Sequence, residues 1–118
     1  MRLGDLKVAS KGGVLVATAA GRASLSEAIS VFTKACEVAA ERGIDQILVD
    51  CLLVEGALST TETYELGRTM AEYCNSRSIT PKIATVGKLP VIDGFGARVA
   101  WNRGLIAETF SELQEALH

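Results

Sequence analysis

Histidine is nearly missing from this chain: its one copy is the terminal residue, His118, among 118 residues. Cys36, Cys51 and Cys74 stand far apart without a C-x-x-C pair, so neither a zinc site of ordinary spacing nor a histidine-backed nucleophile can be assembled. The sequence names no metal and no cofactor. An excess of either charge is missing too, because 12 basic side chains face 14 acidic ones for a net of −2. Binding by neutralisation of phosphates is excluded as a working principle, and no nucleic-acid partner is expected. No apolar run nears the roughly 20 residues that cross a bilayer, and the N-terminus lacks a signal-peptide apolar core. Membrane insertion is therefore not expected, and the odd, unpaired cysteines fit reduced thiols in a cytoplasm. Aromatic residues are scarce at 5%, yet hydrophobic residues reach 48%, enough aliphatic material for one core. A single domain over residues 1–118 is expected.

Lys7 to Ser10 and Val14 to Ala20 are short β-favouring runs separated by Lys11-Gly12-Gly13, and Gly-Gly signals a tight hairpin. From Ser24 to Arg42, the residues Leu25, Ala28, Ile29, Phe32, Ala35, Cys36 and Ala39 recur at three- and four-residue spacing. Ser24 and Glu27 form an S-x-x-E capping box and Gly43 follows at the far end, so a helix is predicted. Ile47 to Cys51 reads as a strand buried on both faces, because apolar residues follow one another without alternation. A second capping box, Ser59-x-x-Glu62, predicts a helix that turns Leu66, Met70, Tyr73 and Cys74 to the core before Pro81 interrupts.

Lys82 to Val86 is the next strand. Asp93 is placed to cap a third helix, with Ile92, Phe95 and Val99 on one face and Ala97 and Trp101 on another, ending at Asn102-Arg103-Gly104. A short strand within Leu105 to Phe110 and a helix from Ser111 carrying Leu113 and Leu117 complete the order. A hairpin followed by alternating elements predicts an α/β fold. Its single mixed β-sheet has about five strands, opening with an antiparallel hairpin and continuing in right-handed parallel βαβ units, under about four helices.

Chemistry concentrates, if anywhere, between Gln46 and Glu62, where a strand ending at Asp50-Cys51 delivers the hydroxyl cluster Ser59-Thr60-Thr61 to a helix N-terminus. The first N–H groups of a helix are unpaired and partly positive, which suits an anion, a phosphoryl group or a partner contact. Ser59 equally has a complete structural explanation as the N-cap of its box. Cys51 lacks a base or a cationic neighbour in sequence and reads as an inert small hydrophobe. Asp50 reads as a turn residue that accepts from backbone N–H groups. Gly94 and Gly96 lack the lysine and hydroxyl of a phosphate loop and read as a tight helix entrance. Arg98 and Arg103 flank Trp101, which is either an interface anchor or a residue packed beneath the last helix.

The element order and the Gln46 to Glu62 segment resemble the STAS domain, found in bacterial anti-sigma-factor antagonists and in cytoplasmic domains of sulphate transporters. Ile47-Leu48-Val49-Asp50, the Pro81 to Gly87 stretch, Asn102-Arg103-Gly104 and the Phe110-led end with Glu115-Ala116-Leu117 are similar to stand-alone bacterial SpoIIAA-like proteins, related to CRAL-TRIO folds. In the antagonists the second helix opens on Asp-Ser-Ser/Thr-Gly, and its first hydroxyl is phosphorylated by a partner kinase. The resemblance places that acceptor on Ser59 and the next hydroxyl on Thr60. Leu58 and Thr61 replace the motif's Asp and Gly, so the likeness locates a functional surface more than a phosphorylation switch. Such proteins often continue with an aromatic residue and a leucine past the equivalent of His118, which implies a clipped last helix.

The expectation is a non-enzymatic, cytoplasmic regulatory or protein-interaction module. Ser59, Thr60 and Thr61 form its candidate phosphoacceptor or anion site, and Glu62, Arg98, Trp101 and Arg103 its candidate interaction surface. A protein partner is expected, and the opening hairpin offers an edge for a homodimer. The alternative, from the CRAL-TRIO kinship and the aliphatic-rich composition, is a carrier or sensor of a small apolar, lipid-like ligand.

Overall fold

The first two β-favouring runs pair antiparallel. The computed structural model describes residues 2–9, 13–87 and 106–110. Strand β1 (Arg2–Ala9) lies antiparallel to β2 (Val14–Arg22), from Arg2 opposite Ala20 to Ala9 opposite Val14, with a bulge between Leu3 and Asp5. Helix α1 (Leu25–Glu41) then carries the chain to β3 (Gln46–Glu55), and α2 (Thr60–Ser76) carries it to β4 (Lys82–Val86). Strands β2, β3 and β4 form a parallel trio, flanked by β1 and, beside β4, by β5 (Ile106–Phe110).

Both described crossovers advance the sheet in the same direction. Right-handed connections of that kind leave their helices on one face, and α1 and α2 indeed pack against each other. On that face Leu15, Ala17 and Ala19 of β2, Ile47, Val49 and Cys51 of β3, and Ile83 of β4 meet Ala28, Val31, Phe32, Ala35, Cys36, Val38 and Ala39 of α1 and Met70, Ala71 and Cys74 of α2. The opposite face buries a smaller set, Val16, Leu48 and Val86. Ile47 and Leu48 are thus buried on opposite faces, which is why β3 reads as a continuous apolar run. Fully burying a side chain of this size contributes roughly 1.5–3 kcal/mol.

The α/β class holds, with a three-strand parallel core and two helices among the described residues. The helices expected from Asp93 and from Ser111, and the residues Arg98, Trp101 and Arg103, lie outside the described residues. Two expectations are corrected. Strand β3 does not end at Asp50-Cys51 but runs on to Glu55. The box at Ser24 and Glu27 does not form, because the Ser24 side chain makes no capping bond and its Oγ lies 3.4 Å from Ser26 Oγ instead.

Candidate functional site

The continuation of β3 begins at a bulge. Thr18 pairs with Asp50 and Ala20 with Leu53, so Cys51 and Leu52 together face Ala19. An extra residue in a ladder leaves its N–H without a strand partner. Here the Leu52 N–H donates to Asp50 Oδ1 at 3.0 Å, the turn-type role expected of Asp50. The bulge also shifts the alternation of the strand. Before it, odd-numbered residues Ile47, Val49 and Cys51 face the helices; after it, Val54 does. Leu52 and Leu53 are consequently turned out, 40% and 65% exposed.

Strand β4 stops at Val86, opposite Asp50, so β3 outruns it by the segment 51–55. The chain next passes Gly56 at φ 81, where an L side chain would be strained, and reaches the α2 entrance. Because β2 and β3 are parallel, the end of β2 lies at this same edge of the molecule. Arg22 pairs with Glu55, Ala23 N–H donates to Glu55 O at 2.8 Å, and the Arg22 guanidinium reaches the Gly56 turn.

At the entrance the box expected from the sequence is complete. Ser59 Oγ accepts from Glu62 N–H at 3.1 Å, and Ser59 N–H donates to Glu62 Oε1 at 2.9 Å. Thr63 adds a hydroxyl bond to Ser59 O at 2.9 Å. Ser59 and Glu62 are therefore committed to each other, whereas Thr60 and Thr61 sit exposed on the first turn. A phosphoryl group on Ser59 would meet the Glu62 carboxylate at close range, since that group is already hydrogen-bonded to the Ser59 backbone. Tyr64, on the second turn of α2, is 36% exposed.

Leu52 and Leu53 were missed in the sequence. Their available signal was the doublet Leu52-Leu53, since regular alternation sends two adjacent leucines to opposite faces of the sheet and only an irregularity turns both out.

The outer side of α2 is a solvated face. Arg68 divides its guanidinium between Glu65 at 2.6 Å and Glu72 at 2.7 Å, and its hydrogen bond holds the Glu65 carboxyl below the usual carboxylate range. Exposed pairs of this sort contribute little. Burial, helped by the charge of Asp50, pushes the Cys51 thiol up to about 12, which disfavours its thiolate at neutral pH. Cys36 and Cys74 are buried as well, in the core that α1 and α2 share.

No protein-family model matches the chain, and no curated protein is significantly similar to it.

Proposed function

We propose that the chain is a non-enzymatic, cytoplasmic STAS-like regulatory or protein-interaction module. Its full architecture on this reading is the SpoIIAA-like one of about five strands and four helices. Its recognition surface is the carboxyl end of β3 together with the α2 entrance. The observation that carries the reading is the bulge at Cys51-Leu52, which leaves Leu52 and Leu53 exposed on the tail of β3, just before the connection 56–59 to α2, instead of in the core. Exposed aliphatics on the tail of β3 would supply apolar area, and the exposed hydroxyls of Thr60 and Thr61 at the α2 entrance directed polar bonds, to a protein contact. The sequential order β2-β3-β4-β5 has no reversal, and it is at reversals that open α/β sheets form crevices for small molecules. A surface partner fits this geometry better. Modification of Thr60 or Thr61 would place negative charge at the helix entrance and change partner affinity without touching the cap.

The test is quantitative affinity purification from the source cells with wild type, Leu53→Asp and Thr61→Glu, alongside native mass spectrometry of the purified chain. A protein partner held by wild type and reduced at least tenfold by Leu53→Asp, with thermal stability kept, is the expected result. A retained lipid-sized adduct with no protein partner contradicts the module and favours the carrier.

A further inference from the structure

Strand β1 is the last strand on its side of the sheet: β2 pairs with one of its edges, and among the described residues no strand pairs with the other. Its eight residues, Arg2–Ala9, make it longer than the common strand of about five or six. A long outer edge offers a row of backbone N–H and C=O groups to another strand, and natural edges are guarded against indiscriminate pairing by charges and by bulges. Strand β1 carries both devices. Gly4 is the extra residue of its bulge, because Leu3 pairs with Ala19 and Asp5 with Thr18. Asp5 and Lys7 then bracket Leu6 in the regular stretch that follows. Their signs are opposite, so the charges that bar most pairings favour one.

We propose that β1 is a dimerisation strand, pairing antiparallel with β1 of a second copy of this chain with Leu6 on the two-fold axis. An isologous contact between two identical antiparallel strands places one residue opposite itself and every other residue opposite the position equally far beyond that centre. The possible centres differ in what they bring together. Centred on Asp5, the pairing sets Asp5 against Asp5, and centred on Lys7 it sets Lys7 against Lys7; like charges directly opposite destabilise a strand pair. Centred on Gly4, it sets bulge against bulge, where the ladder is already irregular. Centred nearer either end, it runs past the strand before both charges have partners. Centred on Leu6, it sets Asp5 of each copy opposite Lys7 of the other, one opposite-charge pair on each side of an apolar one, with Gly4 opposite Val8 beyond them.

The outward backbone groups of β1 gain strand partners in this arrangement, and the two sheets continue into one another. The bulge and the charges confine the edge to a single register and leave it unsuited to a foreign strand. Strand β2 separates this edge from β3, so the dimer neither rests on the recognition reading nor uses its surface.

The test uses the whole chain, as an equal mixture of unlabelled and isotope-labelled protein. Sedimentation equilibrium gives the mass, and a carbodiimide, which joins only a carboxylate and an amine in contact, is followed by peptide mapping. The expected result is a dimer with a mixed-isotope link between Asp5 and Lys7. Lys7→Glu and Asp5→Lys, each of which sets like charges opposite at both pairs, should weaken the dimer at least tenfold, and combining Asp5→Lys with Lys7→Asp should restore it. A structural role of either residue within one chain would not give that reciprocal rescue. A monomer at the highest soluble concentration, a dimer without the mixed-isotope Asp5 to Lys7 link, or folded single variants as tightly dimeric as wild type would overturn the proposal. The wild-type mass and link map decide it even where a variant fails to fold.

Discussion

Helices α1 and α2 are the same length and open on the same S-x-x-E pattern, yet they are secured at opposite ends. At α2 the box is made on both sides, by Ser59 and Glu62. At α1 Ser24 makes no side-chain cap. The difference lies in the link that precedes each helix. Only Ala23 and Ser24 separate β2 from α1, and Ala23 is tied to Glu55 O, whereas residues 56–59 give the chain room to set Ser59 at φ −65 and ψ 165. The C-terminal ends reverse the ranking. Both close as Schellman motifs: Ile44 N–H to Ala39 O at 2.9 Å with Gly43 N–H to Ala40 O at 3.3 Å, and Ile79 N–H to Cys74 O at 3.0 Å with Ser78 N–H to Asn75 O at 3.2 Å. The left-handed residue is Gly43 after α1, at φ 68, but Ser78 after α2, at φ 54. A local motif is thus permission, and the geometry of the neighbouring link decides whether it is used.

The comparison breaks first if the ends, and not the shared core, hold the helices. Phe32→Ala on α1 should cost about 3–5 kcal/mol and Met70→Ala on α2 about 2–5 kcal/mol in urea unfolding, since both side chains lie in the core cluster. A loss below about 1 kcal/mol in either would mean that this helix is anchored elsewhere.

Next in size is an effect in β3, beneath both helices. Cys51 has a folded value of about 12 against an ordinary value of 9.0, so the folded chain keeps a proton that the unfolded chain releases between those limits. Its contribution is intact below about pH 9 and is lost as pH rises through 12. Unfolding measured from pH 8 to 10.5 should weaken toward the upper end, and Cys51→Ala should make that decline shallower by up to about 1.4 kcal/mol per pH unit. Parallel declines in the two proteins would contradict the assignment.

The end effects sharpen the comparison itself. Ser59→Ala should destabilise by about 1 kcal/mol, and Ser24→Ala by less than about 0.5 kcal/mol, because there is no cap to lose. Equal losses would show the α1 box forming in solution. Gly43→Ala should cost about 1 kcal/mol through backbone strain alone, since nothing lies within 4 Å of the added carbon. Ser78→Gly should do the reverse, stabilising by about 0.5–1 kcal/mol.

Much of this was legible before any coordinates. The helical stripe of α1 was right at Ala28, Phe32, Ala35, Cys36 and Ala39, but Val31 and Val38 are buried too and Ile29 only partly, because α1 rests on the sheet and on α2 at once. A single-face period cannot register a second packing partner. Gly43 and the box at Ser59 were readable because each depends on a few consecutive residues. The tail of β3 was not readable, since the bulge that turns out Leu52 and Leu53 is set by pairing with Thr18 and Ala20, some thirty residues upstream. Asp50 looked like the end of a strand because its polar side chain was free, in sequence, to make a turn. In the fold it satisfies the bulge and lets the strand continue.

The most direct test of the proposed recognition surface is in-cell photo-cross-linking from a single introduced residue. The probe at Leu53, on the exposed tail of β3, should give a discrete protein adduct that a probe at Lys34, exposed on α1, does not. The same adduct from both positions, or an adduct from Lys34 and none from Leu53, would move the partner surface away from β3 and the α2 entrance.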